Sequence, residues 1–139
     1  MFGKKIDGNA MMKNFMKVLD SENIKYTYDE SRRVVRCKYT GDHFKSLTFV
    51  FIFDEDGESV AIRVFSIEKF EPHQLSDAYA FCNKMNNSYR WVSCYVDKDN
   101  ELTVSMDAEL DPVSGGKECR KLLRRVVNIT DDICGELYS

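Results

Sequence analysis

The side chains best suited to covalent or metal chemistry in this chain are its cysteines and histidines. They are Cys37, Cys82, Cys94, Cys119, Cys134, His43 and His73. No two cysteines lie within four residues of each other, whereas a zinc site usually contains at least one close pair. His73 and Cys82 fall on one predicted helix, where nine residues turn through about 900° and place the two side chains on opposite faces. His43 falls in a predicted turn, and only tertiary structure could bring it to a cysteine. We therefore predict no catalytic residue, no metal and no cofactor, and interpret the cysteines as small apolar side chains.

Three short motifs superficially resemble ligand-binding loops. Asp54-Glu55-Asp56-Gly57 and Asp97-Lys98-Asp99-Asn100 are rich in carboxylates. Neither continues with the glycine at position 6 and the glutamate at position 12 of an EF-hand calcium loop, so both are typical of hairpin turns. Ser114-Gly115-Gly116-Lys117 lacks the earlier glycine and the following serine or threonine of a phosphate-binding loop. We interpret this third motif as a flexible joint between a strand and a helix.

A cluster of positive charge lies in the last predicted helix. Between residues 117 and 125 there are five cations and one anion, Glu118, although the whole chain has a net charge of −3. Such a cluster is most often a solvated helix face, and its functional alternative is a docking site for an acidic partner or for RNA. The acidic balance of the chain argues against general nucleic-acid binding. The candidate acidic-partner face consists of Lys117, Arg120, Lys121, Arg124 and Arg125.

Aromatic residues supply a second candidate surface. Phe49, Phe51 and Phe53 alternate on one side of a predicted strand, and the other side of that strand is apolar as well. A strand that is apolar on both sides is either covered twice or exposes a patch for a partner. Six strands and only three helices make double coverage difficult, so we predict that a second copy of the chain or another protein covers one face. The candidate partner surface consists of Phe49, Phe51, Phe53, Phe65, Trp91 and Tyr95, and we expect Trp91 and Tyr95 to share a face.

The composition is that of one globular domain spanning residues 1–139. Hydrophobic residues make up 43% of the chain and charged residues 31%, which is an ordinary balance for this class. Two lysines near the start, Lys4 and Lys5, are not followed by the apolar run of a secretory signal. The longest strongly apolar run, residues 49–53, is too short to span a bilayer as a helix. We therefore expect a cytoplasmic protein with no membrane association.

Hydrophobic periodicity predicts three helices and six strands in the order α-ββββ-α-ββ-α. Short, turn-like breaks separate consecutive strands, so we expect antiparallel hairpins and an α+β fold with a mostly antiparallel sheet. Each helix has one apolar stripe, which favours packing of all three helices on one face of the sheet. The predicted helices span about 8–22, 72–87 and 117–137, and the predicted strands span 25–29, 34–39, 47–53, 60–67, 90–96 and 101–110.

The segment after the middle helix carries a family resemblance. The run Phe81-Cys82-Asn83-Lys84-Met85-Asn86, the strand Trp91-Val92-Ser93-Cys94-Tyr95-Val96-Asp97 and the turn Lys98-Asp99-Asn100 resemble the YbjN-like family, small bacterial proteins described as sensory transduction regulators. The order of elements from about residue 9 to 137 matches as well. The resemblance implies a fold similar to type III secretion chaperones, whose members commonly dimerise and bind protein segments, and it implies no catalytic residues. Asn83 and Asn86 match the family pattern, and we expect their amides to close the helix end and the following loop.

Two classes of function follow from these observations. The first is a non-enzymatic binding or regulatory module that acts through protein–protein contact, as a homodimer or with a protein partner, in a chaperone-like role or in sensory or stress regulation. The alternative is an RNA or acidic-ligand binder that uses the basic face of the C-terminal helix. A continuous apolar patch on the helix-free face of the sheet would favour the first class, and a concave pocket with converging polar groups would favour a ligand site.

Overall fold

A computed structural model describes residues 6–139, so the N-terminal lysines considered above lie outside the described residues. The order α-ββββ-α-ββ-α is confirmed, and a short 3₁₀ turn, Pro72–Gln74, precedes the second helix. The helices are α1 (Gly8–Ser21), α2 (Leu75–Ser88) and α3 (Gly115–Leu137), and the strands are β1 (Thr27–Asp29), β2 (Val34–Tyr39), β3 (Leu47–Phe53), β4 (Ser59–Val64), β5 (Ser93–Val96) and β6 (Leu102–Glu109).

The six strands form one antiparallel sheet in the order β1-β2-β3-β4-β6-β5. The α+β fold with an antiparallel sheet is therefore confirmed. After β4 the chain crosses through α2 and returns at the sheet edge as β5, and the β5–β6 hairpin then places β6 against β4. In this register Phe51 lies between Val35 and Ile62, and Ile62 lies opposite Met106. Residues directly opposite each other on neighbouring strands point to the same side of a sheet, so these four residues share one face.

All three helices pack on that face. The ring of Phe15 in α1 lies 4.7 Å from the ring of Phe51 in β3. The Sγ atoms of Cys82 in α2 and Cys94 in β5 are 3.6 Å apart, and Leu123 of α3 is fully buried in the same core. The opposite face of the sheet has no helix over it among the described residues, as the single apolar stripe of each helix predicted.

The prediction that Phe49, Phe51 and Phe53 form an exposed partner surface is wrong. All three side chains are fully buried. They belong to the face that the helices cover, whereas Val50 and Ile52 belong to the helix-free face. Because both sides of β3 are apolar, alternation alone did not distinguish the covered side from the open one.

The two glycines before Lys117 are part of α3 and do not form a flexible joint. Both are buried against α1. A Cβ atom on Gly115 would lie 2.5 Å from the sulfur of Met11, and one on Gly116 would lie 2.9 Å from the backbone of Asn14. Gly116 is therefore required, because the backbone of α1 lies too close for a side chain, whereas a side chain at Gly115 would have to displace the end of Met11. The interpretation of the two glycines as a flexible joint is wrong, because both belong to a helix.

Candidate functional site

The backbone at Trp91 does not adopt the strand conformation that the sequence predicted. The strand was expected from Arg90 onward, but β5 begins at Ser93, and Trp91 has a φ of 79°. This left-handed conformation is a rare one for a bulky side chain and costs on the order of 1–3 kcal/mol. The Trp91 side chain is 61% exposed. The backbone therefore holds a large aromatic ring in a half-solvated position outside the sheet.

Trp91 lies against the basic face of α3. The guanidinium carbon of Arg125 is 4.4 Å from the centroid of the indole ring, which is the geometry of a cation–π interaction. Lys121, Arg124, Asn128 and Ile129 line the same concave surface, with a volume of about 510 Å³. The five α3 residues recur at helical spacing and therefore share one helix face. We call the surface formed by Trp91, Lys121, Arg124, Arg125, Asn128 and Ile129 the Trp91 groove.

The cations of the Trp91 groove have no acidic partner among the residues that the structure describes. Lys121, Arg124 and Arg125 form no ion pair with any residue in the described range 6–139. Unpaired guanidinium and ammonium groups on one concave surface attract an anion, and an arginine can hold a carboxylate through two parallel hydrogen bonds. The groove thus combines positive charge, an aromatic ring and an aliphatic side chain.

Two residues of the predicted acidic-partner face lie outside the groove. Arg120 points to the other flank of α3, where its Nε donates to Glu22 Oε2 at 3.1 Å, and its side chain is only 19% exposed. The prediction that Arg120 belongs to the acidic-partner face is therefore wrong, because its side chain joins α3 to the end of α1. Lys117 is exposed one turn before Lys121, at the end of the groove-facing side.

A family model described as "Putative bacterial sensory transduction regulator" matches residues 13–138 of the chain. The chain belongs to the YbjN family. It is also similar to a solved structure described as the crystal structure of YbjN, a putative transcription regulator from E. coli. That similarity has a TM-score of 0.66 at 12% sequence identity and covers 90% of this chain and 89% of the other, which shows a shared fold. No curated protein matches the sequence.

Asn86, which matches the YbjN pattern, binds the edge of the sheet. Its Oδ1 accepts from the backbone N–H of Cys94 at 2.8 Å, and its Nδ2 donates to the carbonyl oxygen of Cys94 at 3.1 Å. One amide group thus occupies both outward backbone groups of a residue in β5, which is an edge strand. Closure of the helix end and the following loop was expected, whereas the Asn86 amide binds the strand β5 that comes after that loop. Asn83 is exposed on the same helix.

The remaining predicted aromatics of this YbjN-family chain do not join the groove. Tyr95 lies opposite Thr103 in the sheet and is 41% exposed, whereas Cys94 beside it faces the core. Tyr95 therefore belongs to the helix-free face, and the expectation that it shares a face with Trp91 is wrong. The positive φ of Trp91 is the physical reason, because it breaks the strand alternation on which the expectation depended. Phe65 is also exposed, just beyond the end of β4.

A second cavity is lined by both His43 and a cysteine, although the contacts of His43 are with Asp131. The cavity of about 720 Å³ is lined in part by His43 and Cys134. The backbone N–H of His43 donates to Asp131 Oδ1 at 2.8 Å, and the ring Nδ1 lies 3.5 Å from Asp131 Oδ2. Cys134 is fully buried, and burial raises the pKa of its thiol to about 11. The thiol is therefore protonated at neutral pH and is a poor nucleophile.

No helix in the described part of the chain combines the length and the apolar character needed to cross a membrane.

Proposed function

We propose that this YbjN-family protein is a non-catalytic regulatory binding module whose Trp91 groove binds an acidic segment of a partner protein. The observation that supports the proposal most directly is the stacking of Arg125 on the ring of Trp91, a residue with a positive φ. Two further cations beside it, Lys121 and Arg124, have no ion-pair partner within residues 6–139. The family's description as a regulator is consistent with a protein that acts by binding.

The chemistry of the groove favours a protein segment that contains both carboxylates and apolar side chains. Arg124 and Arg125 can each donate two parallel hydrogen bonds to a carboxylate. The indole of Trp91 and the side chain of Ile129 offer apolar surface for a residue beside the acid. A volume of about 510 Å³ is within the usual range for a site that encloses a few side chains.

The same features are less suited to RNA. Sequence-tolerant binding of single-stranded nucleic acid uses a basic track with several stacking aromatic rings. The groove has one aromatic ring, and the chain as a whole carries a net charge of −3. Binding of RNA is treated as the alternative outcome of the experiment described next.

Reversing two charges in the groove is expected to weaken binding of an acidic peptide by at least about tenfold. A hydrogen bond to a charged group contributes roughly 1.5–3 kcal/mol, and a tenfold change in affinity corresponds to about 1.4 kcal/mol. The variant is Lys121→Glu with Arg124→Glu. The probe is a synthetic peptide that alternates glutamate with leucine. The chain has a single tryptophan, so the fluorescence of Trp91 reports binding at the groove directly.

The matched control is Lys98→Glu, which reverses an exposed charge in the β5–β6 turn. It should bind the peptide as the unmodified chain does, and a peptide with lysine in place of glutamate should produce no fluorescence change. The proposal would be overturned by the absence of a saturable change with the acidic peptide at low salt. Tighter binding of single-stranded poly(U) than of the peptide would replace it with the RNA alternative.

Self-association through the helix-free face is a second proposal, favoured by the distribution of charge on that face. Arg36 and Lys38 lie on β2, and Asp107 and Glu109 lie on β6. Each of these strands is second from one edge of the sheet. A two-fold axis parallel to the strands would therefore place β2 of one copy over β6 of the other. By the strand register, Arg36 of one copy would then lie two residues along the strand from Asp107 of the other, which already pairs with Arg63 of its own chain at 2.7 Å.

We expect a dimer with twice the 16.2 kDa chain mass in light scattering, with dissociation promoted by high salt. Arg36→Glu should weaken the dimer, because Arg36 is the β2 cation that lies nearest to the β6 carboxylates across this axis. A monodisperse species of 16.2 kDa at high protein concentration and low salt would overturn this proposal.

A further inference from the structure

Two of the five cysteines touch each other inside the fold. Cys82 of α2 and Cys94 of β5 have Sγ atoms 3.6 Å apart, and the thiol of Cys94 donates a hydrogen bond to the sulfur of Cys82. All five cysteines lie in the described part of the chain, and no comparable contact joins Cys37, Cys119 or Cys134 to another cysteine. The two sulfurs are twelve residues apart in sequence and belong to different elements.

The surrounding structure holds the thiols of Cys82 and Cys94 next to each other. Asn86 lies one helical turn after Cys82, so both side chains are on the face of α2 that meets β5. The amide of Asn86 binds the backbone N–H and the carbonyl oxygen of Cys94 itself. Closing a disulfide of about 2.05 Å from this arrangement requires the two sulfurs to approach each other by about 1.5 Å.

The two sulfurs are not equivalent in acidity. The hydrogen bond from Cys94 lowers the pKa of the Cys82 thiol, and the same bond together with burial raises the pKa of the Cys94 thiol. Cys82 is also the more accessible of the two, at 7% exposure against 2%. A thiolate is the nucleophile in thiol oxidation, so Cys82 is suited to the first attack and Cys94 to the second.

We propose that Cys82 and Cys94 form a redox-active pair that a hydroperoxide converts to an intramolecular disulfide. The sulfur of Cys82 attacks one peroxide oxygen, the O–O bond breaks, and the departing hydroxide takes up the former thiol proton as water. Cys82 is then a sulfenic acid. The sulfur of Cys94 attacks it, the S–O bond breaks, and a second water leaves with the Cys94 proton. Two thiols lose two electrons, and one hydrogen peroxide becomes two waters.

The disulfide would join α2 covalently to the edge strand that begins two residues after Trp91. Its formation does not depend on what the Trp91 groove binds, so this proposal and the proposed function can fail separately. A dithiol reductant reverses the reaction by thiol–disulfide exchange.

The test is titration of the folded, full-length protein with hydrogen peroxide. We expect the number of free thiols to fall from five to three, the mass to fall by about 2 Da as two hydrogens leave, and peptide mapping to show one bond between Cys82 and Cys94. Cys82→Ser should keep all four remaining thiols under the same treatment. Cys94→Ser should form no disulfide and should instead accumulate a sulfenic acid at Cys82, which dimedone labels, because the resolving thiol is absent. Cys119→Ser, the matched control, should still lose two thiols.

Peptide mapping of the unmodified chain identifies the bonded cysteines even if a serine variant does not fold. Retention of all five thiols at peroxide concentrations that oxidise a free dithiol would overturn the proposal. So would a disulfide between any other pair of cysteines, or loss of all five thiols at one common rate, since that would indicate oxidation of unfolded chains.

Discussion

Replacing Phe51 by alanine is expected to lower the free energy of unfolding by about 3–5 kcal/mol, because the change removes a fully buried aromatic ring from the centre of the core. Phe51 lies 4.7 Å from Phe15 of α1 and between Val35 and Ile62 in the sheet. Each of these neighbours would line the resulting cavity. Urea denaturation followed by far-ultraviolet circular dichroism measures the change.

The control for this prediction is Phe65→Ala. Phe65 is 47% exposed beyond the end of β4, so its loss should change the free energy of unfolding by no more than about 1 kcal/mol. Equal effects of the two substitutions would contradict the assignment of Phe51 to the core and Phe65 to the surface. Total stabilities of small domains are about 5–15 kcal/mol, so the Phe51 variant is expected to lose a large fraction of the total stability.

Replacing Asn86 by alanine is expected to lower the free energy of unfolding by about 1–3 kcal/mol, because it removes two part-buried hydrogen bonds to the backbone of Cys94, each of which contributes roughly 0.5–1.5 kcal/mol. The substitution also uncovers the N–H and C=O groups of an edge strand, which is the usual starting point for strand-to-strand association. We therefore expect lower stability together with association that depends on protein concentration. Denaturation curves measure the first effect and light scattering the second.

Hydrogen exchange gives a local measurement at the same position. The amide of Cys94 should lose protection in the Asn86 variant before the amides of the central strand β3 do. Asn83→Ala is the matched control, since Asn83 is an exposed asparagine on the same helix, and it should leave stability and exchange unchanged. Unchanged protection of Cys94 after loss of the Asn86 amide would show that the amide does not hold the edge.

The structure of residues 81–97 was predicted in part from the sequence. The sequence placed Cys82, Asn86 and Cys94 in a helix and the strand that follows it, and it predicted that the amides would close this region. It did not show that Asn86 and Cys82 meet the same residue of β5. Those contacts depend on how closely α2 packs against the sheet edge, and that distance is a tertiary quantity.

The sequence by itself determined the element order, the antiparallel hairpins and the presence of a helix-free face, because these depend on local periodicity and on the number of apolar stripes. Only the tertiary structure decided which side of β3 is covered, since both sides are apolar. It also separated Arg120 from the other cations by pairing it with Glu22, a residue almost a hundred positions away. The Trp91 groove required both a departure from strand geometry at one residue and the approach of a helix from the far end of the chain. Neither appears in a local pattern, because each is set by packing between segments that are distant in sequence.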